Sequence, residues 1–195
     1  MFYNELFEGA IREAREAHSI QLFESVLREA NESEEENKTE ELIFLEDLTK
    51  MTNVLSSKKK SEIITHKTIG DVYIHNGKAE LDSYGLKHII YKRKAIEKRT
   101  DEEITSMLSL ICSAIHDGVP SPSYNNCVMV TKNGITAVIT RLVLENGEIG
   151  LLTGYDLNTK KKEATDAIQA VIAQYSSAPE YSEFRKQVVA VTSNI

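Results

Sequence analysis

The 195-residue sequence has no tryptophan, three prolines and two cysteines. So few cysteines exclude a disulfide framework and a four-thiolate metal site, and Cys112 and Cys127 read as reduced, mostly buried residues. There is no run of about 18 apolar residues, hence no expected membrane span. The N-terminal stretch MFYNELFEGAIREAREA mixes acids with apolar residues, unlike a signal peptide, so the expected location is cytoplasmic. Also missing are the Walker loop, the GxGxxG turn and the HExxH, CxxC and GxSxG patterns. The five histidines, His18, His66, His75, His88 and His116, show no metal-ligand spacing. Neither a metal nor a cofactor is expected. What remains, 41% hydrophobic and 27% charged residues, is an ordinary globular composition.

The net charge of −7 is unevenly spread. Residues 1–66 carry 15 acids and 8 lysines and arginines, whereas residues 67–195 carry 15 of each. Within the second part, residues 86–99 hold six basic side chains (Lys87, Lys92, Arg93, Lys94, Lys98 and Arg99) against Glu97 alone. A local patch of this kind attracts phosphate whatever the total charge.

Periodicity divides the chain into an N-terminal helical hairpin and an α+β domain. Leu6, Ala10, Ile11, Ala14, Ala17, Leu22, Val26 and Leu27 recur at helical spacing, the acidic run NESEEENKTE (31–40) follows, and residues 42–55 resume the helical pattern. Residues 1–60 therefore form an acidic helical appendage, and 61–195 a second domain with a core over 67–158. The alternation EIITHKTIGDVYIH predicts one or two short strands before Asn76-Gly77. Residues 82–99 and 100–116 read as two helices, the second opened by a capping box, Thr100 with Glu103. DGVPSPS (117–123) is expected to be a loop because it holds two prolines.

Three strand-like runs joined by Asn133-Gly134 and Asn146-Gly147 then predict an antiparallel meander, and residues 160–175 and 180–190 predict closing helices. If Asn146-Gly147 is the second loop, Thr140 lies opposite Thr153, and Val138 opposite Tyr155. One sheet face then carries Cys127, Thr131, Thr136, Thr140, Thr153 and Tyr155 beside Met129, Val138, Leu142 and Leu151. The other carries Val128, Val130, Ile135, Ala137, Ile139, Val143 and Leu152 with Arg141, and is the expected helix-covered core. A bulge in the hairpin would swap these assignments.

The chemistry-bearing residues that remain are a histidine in a basic helix, GLKHIIYKR (85–93), and a threonine and tyrosine two apart on a late strand, LLTGYD (151–156). A GLKHI helix, a second helix and an antiparallel meander ending in this Thr-Tyr pair resemble the BECR nucleases. That superfamily groups barnase, EndoU, colicin and RelE-like ribonucleases, and the phage and polymorphic-toxin versions are nearest. The resemblance covers roughly 67–158, about half the chain. It implies metal-independent RNA cleavage in which the ribose 2′-hydroxyl attacks the adjacent phosphate. It further implies His88 as general base or acid, Thr153 and Tyr155 as catalytic hydroxyls, and Lys87, Arg93 and Arg141 as phosphate or RNA contacts, with RNA as the partner.

Each residue also has a plain structural reading. On a helical wheel Leu86, Ile89, Ile90 and Ile96 form the buried stripe, leaving His88 on the opposite side, facing a cleft or solvent. Arg93, near the stripe, could instead serve an ion pair with a residue such as Asp71 or Asp156. Arg141 falls on the face away from Thr153 and Tyr155. Thr140 and Thr153 need no function as a cross-strand pair. No second histidine or glutamate is placed as a partner acid or base, and residues 101–159 hold seven acids against two bases. The rival expectation is thus a non-catalytic interaction protein of the same fold, a phage or mobile-element accessory factor. In that case residues 1–55 would meet a protein partner or form a homodimer.

Overall fold

The computed structural model describes residues 39–122, 127–140, 150–156 and 161–195, together with Ser25. The chain divides into two compact units, Met1–Ile43 and Phe44–Ile195. In the first, Ser25 and residues 39–43 are helical. The expected helix over 3–30 and acidic run over 31–38 otherwise lie outside the described residues.

The second unit is α+β. It opens with α1 (44–55), whose Leu48, Met51, Val54 and Leu55 are buried in the main core. Strands β1 (Ser61–His66) and β2 (Gly70–His75) form an antiparallel hairpin. Helix α2 (Leu86–Tyr91) continues as one π-helical turn, Lys92–Ile96, and α3 (Asp101–Asp117) follows. Four strands come next: β3 (Val119–Pro122), β4 (Cys127–Lys132), β5 (Ile135–Thr140) and β6 (Gly150–Asp156). Helices α4 (Lys161–Tyr175) and α5 (Pro179–Thr192) close the chain. All strands join one sheet in the order β1-β2-β6-β5-β4-β3, antiparallel except for β2 with β6, which pair in parallel at Tyr73 and Gly150.

The core follows from alternation. Ile64 in β1, Val72 and Ile74 in β2, Val128 and Val130 in β4, and Ile135, Ala137 and Ile139 in β5 are buried. Against this sheet lies α3, which meets β1, β4, β5 and β6 through a stripe of Ile104, Met107, Leu108, Ile111 and Ile115, while α4 and α5 pack on α3. The capping box at its start is complete: Thr100 Oγ1 accepts from Glu103 N–H, and Thr100 N–H donates to the Glu103 carboxylate at 2.7 Å.

Three expectations are corrected. VPSP is a strand, not a loop. Pro120 and Pro122 sit in β3 at the sheet edge, where a strand has a neighbour on one side only and a missing N–H is tolerated. The segment 82–99 is not one helix, since helical structure starts only at Leu86 and changes pitch at Lys92. The β5–β6 register is shifted as well: Thr153 lies opposite Val138, Tyr155 opposite Thr136, and Thr140 opposite Gly150. A bulge causes this, because Leu151 pairs with Ile139 and Thr153 with Val138, leaving Leu152 unopposed. Leu151 thereby moves to the face of Ile139 and is buried.

Candidate functional site

Helix α2 is entered through a loop drawn shut by two glycines. Gly77 (φ +68°) and Gly85 (φ +81°) adopt backbone conformations that L side chains avoid. A Cβ at Gly77 would collide with the Tyr84 carbonyl, and one at Gly85 would lie 2.5 Å from the His75 carbonyl oxygen. Lys87 N–H donates to the Asn76 carbonyl at 2.8 Å, and Lys78 N–H to Ser83 Oγ at 3.0 Å. The folded loop delivers the Glu80 carbonyl to His88, whose Nδ1 lies 2.9 Å away. His88 is therefore only 6% exposed and is not solvated, although the helical wheel set it opposite the buried stripe. A carbonyl only accepts, so Nδ1 carries the proton and Nε2 of the neutral ring is the acceptor.

The π-helical turn carries Arg93, which is 4% exposed. Its Nη2 donates to the Gly154 carbonyl and its Nη1 pairs with Glu97, rather than with Asp71 or Asp156. Single π turns recur at functional sites, and this one attaches the helix to β6 between Thr153 and Tyr155. Gly154 packs tightly beneath α3, since a Cβ there would collide with the Ile111 side chain. Glu97 also takes Arg99 Nε at 2.9 Å, and Lys94 pairs with Asp101 at 2.6 Å. Half of the basic patch is thus neutralised internally.

On β6, Thr153 and Tyr155 share a sheet face with Thr136 and Val138. Thr153 Oγ1 is buried and has no hydrogen-bond partner. The Tyr155 hydroxyl donates to Met129 Sδ at 3.4 Å, and Thr131 and Thr136 exchange a hydroxyl contact at 3.0 Å. No hydrogen bond joins His88 to Thr153 or Tyr155. Lys87 lines a cavity that none of these three residues borders. Arg141 lies outside the described residues.

Other polar groups escaped the sequence reading. Asp47, 2% exposed, reaches from α1 to His116 Nδ1 at 3.3 Å and to Lys50 at 2.8 Å. Burial pushes the neighbouring Cys112 thiol well above its usual range, with the Asp47 charge adding to the shift, so it is an inert core thiol; Cys127 is half-buried. His66 is buried among main-chain groups, with Nε2 2.9 Å from the Gly118 carbonyl. Among the described residues no cluster of histidine, cysteine and carboxylates suits a metal ion, and no helix is long and apolar enough to cross a membrane. Comparison with protein-family models, curated proteins and solved structures finds no match to this chain.

Proposed function

We propose that the chain is a metal-independent endoribonuclease-like protein of the BECR type, phage- or toxin-related, with α2 and β6 as the two sides of its site. The observation that carries this reading is the Glu80 contact, which fixes the His88 tautomer and makes Nε2 the proton acceptor. A general base needs such orientation. In the proposed reaction Nε2 removes the proton of a ribose 2′-hydroxyl, and the freed oxygen bonds to the adjacent phosphorus. The bond to the 5′-oxygen then breaks, with water protonating the leaving oxygen, and a 2′,3′-cyclic phosphate remains. The part-buried Tyr155 hydroxyl serves the phosphate oxygens, with Thr153 behind it on the same sheet face. Arg93 is a positioning residue that holds β6 through Gly154, because Glu97 already meets its charge.

A second reading, a non-catalytic interaction protein or dimeric accessory factor, draws on the neutralisation of Arg93 and Arg99 by Glu97. The two readings separate in one experiment, cleavage of labelled mixed-sequence RNA in EDTA by wild type and His88→Ala, each checked for fold by circular dichroism. The ribonuclease reading expects cyclic phosphate ends and a loss of about 10²–10⁴-fold in the variant. Absence of cleavage by folded wild-type protein supports the interaction reading, and undiminished cleavage by the variant removes His88 from the chemistry.

A further inference from the structure

A cavity of about 330 Å³ opens between the end of α1, the loop at Ala79, the start of α2 and the last turns of α5. Its volume is at the lower end of the range for small-ligand pockets, about 300–1,000 Å³. Leu55, Ala79, Ala190 and Val191 give it apolar walls. The polar side chains on its rim each commit a donor inside the protein. Ser56 Oγ donates to the Asn53 carbonyl at 3.2 Å, Gln187 Nε2 to Glu183 at 3.0 Å, and Asn194 Nδ2 to the Ala190 carbonyl at 2.7 Å.

Lys87 is the exception. Its ammonium has no carboxylate partner among the described residues, while its backbone N–H is fixed on Asn76. Among the described residues Lys87 is the one cation on the lining, and a single cation beside an apolar chamber matches a ligand with a single negative head and an apolar body. A polyanion would bring further charges that no second cation among the described lining residues meets. We propose that this cavity binds a small amphipathic monoanion, an aliphatic or aromatic acid, through Lys87. The inference is independent of the ribonuclease reading.

The test is titration of the full ¹⁵N-labelled chain with octanoate, octylamine and a dinucleotide, followed by NMR. Octanoate is expected to shift the amides of Ala79, Lys87, Ala190 and Asn194 saturably, at least tenfold more tightly than octylamine. Lys87→Gln, which keeps most of the stem, is expected to abolish that preference. Ala190→Trp, at an exposed helix position, is expected to fill the chamber and abolish binding while the remaining spectrum is preserved. Equal affinity of octanoate for wild type and Lys87→Gln would overturn the proposal. So would shifts centred elsewhere, no saturable shift, or tighter binding of the dinucleotide at the same amides.

Discussion

His66 and His88 are both buried, yet they are held in opposite ways. At the end of β1, His66 Nδ1 accepts from the backbone N–H groups of Thr68 at 2.9 Å and Ile69 at 3.1 Å, so Nε2 carries the proton and donates to Gly118 at the end of α3. Both nitrogens are committed, and the ring locks the β1–β2 turn onto α3. His88 commits one nitrogen to Glu80. Burial does not tell the two apart, whereas the count of engaged nitrogens does. A ring with both nitrogens on the main chain is scaffold, and a ring held by one keeps a nitrogen for proton transfer.

The largest expected effect that tests this contrast is the loss of His66. Alanine there takes the acceptor from two part-buried N–H groups and the donor from the buried Gly118 carbonyl. The expected destabilisation is about 3 kcal/mol, or roughly 6–12 °C in Tm for a chain of this size. His88→Ala strands one carbonyl and is expected to cost about 1 kcal/mol. Urea unfolding of the two variants makes the comparison, and equal losses would break it.

Next in size is Gly85→Ala. The new methyl would meet the His75 carbonyl in a backbone conformation that favours glycine, with an expected cost of about 2–3 kcal/mol. Displacing the loop also withdraws Glu80 from His88. Long-range ¹H–¹⁵N spectra should show His66 protonated at Nε2 and His88 at Nδ1 in the wild type. In the variant the His88 preference alone should be lost, and a change confined to His66 would contradict the assignment.

Local chemistry was legible in the sequence and non-local closure was not. The Thr100–Glu103 box and the stripe of α3 follow from spacing alone, and Asn133-Gly134 forms its turn with positive φ at both residues, 49° and 73°. The buried face of Val128, Val130, Ile135, Ala137 and Ile139 follows from alternation. By contrast, β3 forms because β4 offers an edge, which the prolines do not reveal. The bulge at Leu152 reflects how β5 and β6 fit together. His88 is covered by a loop whose path depends on Gly77 and Gly85 meeting distant backbone, so a helical wheel left it outside. The Arg93–Glu97 pair, at i,i+4 spacing, is within reach of the sequence, and this local carboxylate takes the guanidinium in place of Asp71 and Asp156, both more distant in the chain.

The smallest effect concerns a contact that, unlike those of the two histidines, depends on a carboxylate charge. The Thr100 backbone N–H, with help from its hydroxyl and the Arg99 charge, holds the Glu103 carboxyl below the ordinary glutamate value. A depressed carboxylate pKa stabilises the folded chain above the unfolded-state value, and that contribution is lost as pH falls through the lower folded-state value. Glu103→Gln keeps an acceptor but removes the charge from the first turn of α3. Because the group is exposed, the expected cost at pH 7 is only about 0.5 kcal/mol. Below the folded-state value wild-type Glu103 is itself neutral, so the two urea midpoints should converge once the pH falls below it. A gap that persists there would mean that the carboxyl acts by shape rather than charge. Convergence would leave the two histidine anchors, whose donors and acceptors are main-chain groups, as contacts of a different electrostatic kind.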